Sequence, residues 1–114
     1  MPRNMSFALT KEQIKNRTKF VTRRFGWLFL KPGDVLNAVE KSMGLKKGEK
    51  VKKLALIRVI SVGEEPLSEI TKEDCILEGF PDYEPVDFVN MMIDHSQGKV
   101  KPDDEANRIE FEYI

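Results

Sequence analysis

Apolar positions along the chain come in short blocks separated by polar punctuation, and the spacing within each block predicts its conformation. Thr10-Lys11-Glu12-Gln13 has the form of a capping box, predicting a short helix that ends near Asn16 or Arg17. Thr18 to Trp27 (TKFVTRRFGW) is rich in Thr, Val and aromatics and reads as extended in part. Lys31-Pro32-Gly33-Asp34 is a turn, with Pro presetting φ and Gly supplying φ > 0; Val35 to Glu40 follows as a short strand. Leu54 to Val62 (LALIRVISV) is apolar on both faces except at Arg58 and Ser61, which predicts a strand through the centre of a sheet, halted by Pro66. Thr71 reads as the N-cap of a helix that stops at Gly79. Pro85 opens a third helix whose apolar face is Val86, Val89 and Ile93, with Phe88 and Met92 nearby. Ser96 to Asn107 is a polar loop. Arg108 to Ile114 alternates, with Ile109, Phe111 and Tyr113 on one side, as a half-buried terminal strand does.

These elements sum to an α+β domain of about five to six short strands and two or three short helices. A small curled sheet or barrel would bury Leu54–Val62 on both faces. The 114 residues fit one domain, 1–114, and 40% apolar residues suffice for a core. The single Cys excludes an internal disulfide framework, and one His with one Cys leaves no zinc pattern, so no metal or cofactor is expected. No apolar run approaches the roughly 20 residues of a membrane span, and Met1 to Leu9 lacks a signal-peptide core. The expectation is a cytoplasmic protein with no membrane partner.

Charge changes the picture. Residues 1–58 hold 15 Lys/Arg against 4 Asp/Glu, and residues 59–114 hold 4 against 15. Either the basic half meets phosphates, or the two halves neutralise each other in the fold. The densest cationic stretch is Arg17-Thr18-Lys19-Phe20-Val21-Thr22-Arg23-Arg24. Arginines grip phosphate bidentately, and a lysine crowded by like charges has its pKa lowered toward use as a base or nucleophile. A solvated basic strand would share this composition.

The segment resembles the signature of the ASCH domain family, a branch of the PUA-like RNA-associated fold: Gly, any, Lys, two of any, Thr or Glu, any, Arg. Lys19, Thr22 and Arg24 match. Arg17 stands where the signature has Gly, a departure that bears on a turn with φ > 0 just before Lys19. Lys31-Pro32-Gly33-Asp34 with VLNAVE, Leu67-Ser68-Glu69-Ile70-Thr71, and Arg108-Ile109-Glu110-Phe111 extend the resemblance over roughly residues 5–114.

Small bacterial members of that family include an amidohydrolase acting on N4-acetylcytidine. The resemblance implies Lys19, Thr22 and Glu78 as its catalytic set, with Glu73 or Asp74 as the alternative to Glu78 for the carboxylate partner. It implies RNA or a modified nucleoside as partner, met by Arg17, Arg23, Arg24 and Trp27. Lys19 would be the nucleophile or activate one, Thr22 would orient or relay, and Glu78 would move the proton. On a regular strand Lys19 and Thr22 point to opposite faces, so the reading requires a break between residues 18 and 24. A non-catalytic RNA-binding module is the alternative. A ribonuclease is the lesser one, with no His near the motif, and an adaptor using the acidic half has no specific support.

Other residues have plain readings beside functional ones. Trp27 stacks a base or joins the core with Leu28, Phe29 and Leu30. The lysine-rich stretch Lys41 to Lys53 contacts RNA backbone or is a solvated loop. Phe80 and Tyr83 wall a cleft or cover the short helix. His95 reads as the helix C-terminus and no ligand, Cys75 as a buried small group, and Met91 and Met92 as packing.

Overall fold

The computed structural model describes residues 2–41 and 47–114. Among them are five strands, β1 (Arg3–Ser6), β2 (Val21–Arg24), β3 (Val35–Val39), β4 (Lys53–Pro66) and β5 (Glu105–Tyr113), and three α-helices, α1 (Lys11–Lys15), α2 (Lys72–Leu77) and α3 (Pro85–His95). The strands form one sheet in the order β1-β3-β4-β5-β2. Only β1 and β3 run parallel. β4 is central, as its composition requires. The sheet curls into a half-barrel whose free edges, β1 and β2, approach each other: the Arg24 guanidinium on β2 donates to the Ser6 carbonyl on β1.

Several expectations are corrected. β4 is not buried on both faces: Ile57 and Val59 are buried, but Ile60 is 43% exposed. Ile60 is the extra residue of a bulge, since Val59 pairs with Phe111 and Ser61 already pairs with Glu110. β4 runs on past Val62, its expected end, and halts at Pro66 as expected, where a missing N–H is tolerated. The strand partner of Glu64–Pro66 is Glu105–Asn107, which sequence places in a loop. β1 goes unpredicted because four mostly polar residues with one buried apolar side chain, Met5, carry no pattern. Thr10 makes no side-chain cap bond; Gln13 turns away and donates to the Gly79 carbonyl at 3.1 Å. Val86 is 62% exposed, off the apolar face of α3.

Other local readings hold. Gly33 has φ +95 in the turn before β3, Thr71 Oγ1 accepts from the Asp74 amide at 3.1 Å, and Pro85 sits in the first turn of α3. One core cluster, including Met5, Phe7, Ile14, Ile57 and Phe111, lies between the sheet and α1. A second, Leu67, Ile70, Cys75, Phe88 and Val89, joins α2 and α3. The Lys41–Lys53 stretch lies partly outside the described residues, at 42–46; Lys41 pairs with Glu49 at 3.5 Å. No helix among the described residues is long and apolar enough to cross a membrane.

Candidate active site

The chain leaves α1 through Arg17, which takes φ +59. The turn that the family pattern gives to Gly is therefore kept with a side chain in the left-handed region. Arg17 itself is exposed, its guanidinium 5.4 Å from the Tyr113 ring centre, and it does not line the cleft expected to hold substrate. Thr18 N–H then bonds the Gln13 carbonyl at 2.9 Å and Phe20 N–H bonds the Leu77 carbonyl at 2.7 Å. That second bond ties the irregular segment before β2 to the end of α2 and sets Lys19 beside Glu78. Gly79 follows with φ +96, and a Cβ there would lie 2.6 Å from Gln13 Cγ, so α1 and α2 can dock this closely only on glycine.

β2 begins at Val21, so Lys19 precedes the strand. This is the break that convergence demanded, and Lys19, Thr22, Arg24 and Glu78 all line one cleft of about 410 Å³. Residues from the free edge of β1, from β2 and from α3 border it. Lys19, Thr22 and Glu78 are only 3%, 3% and 2% exposed. Lys19 Nζ donates to Glu78 Oε1 at 2.6 Å and to the Glu78 carbonyl at 2.9 Å. Its ammonium is 6.0 Å from the Phe80 ring centre, and Tyr113 OH donates to its backbone carbonyl at 2.5 Å. Among the three carboxylates considered, Glu78 is the one facing Lys19. Glu73 is exposed, and Asp74 pairs with Arg108 at 2.8 Å and Arg23 at 2.5 Å.

Arg23 is not a free phosphate grip. Its side chain is fully buried and bonds Glu65, Asp74 and, at 3.2 Å, Glu78 Oε2. The basic and acidic halves thus neutralise each other at this point, a pairing that no local pattern around Glu65 announces. Burial works against the Arg23 charge, but Asp74, Glu78 and Glu65 outweigh it and raise its pKa. Arg24 differs: it bonds Thr22 Oγ1 through Nε at 3.2 Å and the Ser6 carbonyl, and covers the Phe7 ring at 4.6 Å. Burial pushes its pKa down to about 10, with Glu78 opposing. The Lys19 pKa is lowered, chiefly by burial; Glu78 counters this, and Arg24 and Arg23 add to it.

Trp27 is half-buried, stacks on Phe29 at 5.4 Å and packs against the larger core cluster, as its core reading expects, and it also lines the cleft. Phe80 walls the cleft; Tyr83 stacks on it at 4.8 Å, outside the lining. Met91 and Met92 pack against the second core cluster and His95 closes α3, as expected, and all three also line the cleft. The signal for them was their spacing from Phe88 along one helix face. Among the described residues, no group of three or more His, Cys, Asp or Glu is placed to hold a metal ion.

No family model and no curated protein matches this sequence. Solved structures do. A protein of Enterococcus faecalis V583 described under the family model DUF984 is similar over 100% of this chain and 77% of its own, at 17% identity and a TM-score of 0.69. An ASCH domain of Lactobacillus crispatus JV V101 is similar over 97% and 78%, at 14% identity and a TM-score of 0.69. The fold is the α+β, PUA-like fold of ASCH domains.

Proposed function

From an ASCH-type half-barrel with a buried lysine, carboxylate and hydroxyl at the floor of a cleft, we propose an amidohydrolase that removes the acyl group from N4-acylated cytidine or a close relative. The observation that carries this reading is the enclosed Lys19–Glu78 pair, with Lys19 at lowered pKa. Passing its proton to Glu78 Oε1, Lys19 becomes a neutral amine able to take the Thr22 hydroxyl proton. Thr22 Oγ attacks the acyl carbon, and Arg24 stabilises the negative oxygen that develops. The C–N bond breaks as the Lys19 ammonium returns its proton to the exocyclic nitrogen. Water, deprotonated by Lys19, then attacks the threonyl ester; the Lys19 ammonium gives that proton to the departing Thr22 oxygen, the acid leaves, and Glu78 returns the first proton to Lys19. Threonine is the better nucleophile on chemical grounds, because acyl transfer to Lys19 would give an amide no easier to hydrolyse than the substrate.

Aromatic walls at Trp27 and Phe80 suit a planar base. A phosphate-gripping RNA module draws less support, since Arg23 is committed to three carboxylates. The test is to incubate the protein with N4-acetylcytidine and follow release of cytidine and acetate. Turnover is expected, falling roughly 10²–10⁴-fold in Lys19→Ala. No turnover by the wild type, or full turnover by Lys19→Ala, would refute the reading.

A further inference from the structure

The wall that α3 gives the cleft consists of Phe88, Met91, Met92 and His95, one face of the helix at successive turns. Exposure rises along it: Phe88 is buried, Met91 and Met92 are half-buried, and His95 is exposed. Phe88 marks the floor, since its ring lies 6.0 Å from that of Phe80, which in turn lies 6.0 Å from the Lys19 ammonium. His95, seven residues on, is about 10 Å further along the axis, at the mouth. His95 thus shares one cleft with Lys19 and Thr22, at the exposed end of the wall. His95 is the one histidine of the chain, it ends an otherwise apolar wall, and its ring has no hydrogen bond, ion pair or ring contact among the described residues.

Resting on the amidohydrolase reading, we infer that His95 is the sugar-contacting residue of the substrate site, selecting nucleosides over free bases. An imidazole carries one donor and one acceptor, which suits hydroxyls. With the amide held at Lys19 and Thr22, the sugar is the part of the substrate that reaches it. Because the ring is exposed and unpartnered, its removal leaves the fold intact.

The experiment is saturable quenching of Trp27 fluorescence by cytidine and by cytosine, run beside turnover of N4-acetylcytidine and N4-acetylcytosine. His95→Ala is expected to weaken cytidine binding roughly threefold to tenfold, the worth of one hydrogen bond, and to raise KM for N4-acetylcytidine with kcat unchanged. Cytosine binding and N4-acetylcytosine kinetics stay the same, and His95→Gln recovers part of the loss. Equal weakening of both ligands, or of neither, overturns the assignment, as does a wild type that binds neither. A wild type that binds cytidine but turns over no acylated substrate ends the amidohydrolase reading alone, and the two binding constants still decide the role of His95.

Discussion

Glu78 serves two cations at once, Lys19 at 2.6 Å and Arg23 at 3.2 Å, and it is only 2% exposed. Glu78→Gln keeps the shape and removes the charge. Arg23 retains Asp74 and Glu65, so its charge stays answered. Lys19 retains only the backbone carbonyl at position 78, at 2.9 Å. The cost therefore rests on one buried ammonium without a counter-charge. Removing one partner of a buried pair costs about 3–5 kcal/mol, and at about 4 °C per kcal/mol for a domain of this size the Tm should drop by roughly 12–20 °C.

The deficit has a ceiling, because Lys19 can shed its proton. A lysine whose folded pKa lies below its unfolded value holds fewer protons when folded, so stability rises with pH toward the ordinary 10.5. Loss of Glu78 lowers the folded pKa further. Between the two folded values the variant gains stability with pH while the wild type does not. The gap should thus narrow as pH rises between those two folded values, by at most about 1.4 kcal/mol per pH unit. Urea unfolding followed by Trp27 fluorescence measures this, with Lys19→Met and the Lys19→Met/Glu78→Gln double variant closing the cycle. The double variant should recover about 2–3 kcal/mol of the summed single losses. A Glu78→Gln loss below about 1 kcal/mol at pH 7 would refute the argument, as would strict additivity.

Arg17→Gly should change stability by less than about 0.5 kcal/mol and leave turnover untouched. Relief of a non-glycine left-handed conformation, about 1 kcal/mol, offsets the lost contact with Tyr113; a large fall in thermal stability would contradict this. The Asp74 carboxyl is held down at about 2, first by Arg108 and then, against burial, by Arg23. Its contribution is present above the ordinary 3.8 and is lost as pH falls toward 2. In an acid unfolding series Asp74→Asn should therefore show a shallower decline across that window, and an unchanged slope would show that the pairing contributes nothing.

The sequence by itself determined the local elements whose cause is local: the Lys31–Asp34 turn, the Thr71 cap, Pro85 at the start of α3, the alternating strand at the end, and the central position of an aliphatic β4. A resemblance to a spaced signature singled out Lys19, Thr22 and Glu78, and the fold brings all three to one cleft. Tertiary structure decided the rest. β1 exists through pairing with β3, more than 30 residues away. Glu65 and Asp74 claim Arg23 across the fold, turning a residue that reads as a phosphate ligand into a buried strut. His95 joins the cleft because α3 packs along it. A charge in a sequence is only a sign; whether it meets substrate, solvent or an opposite charge depends on which distant segment folding brings within a few ångströms.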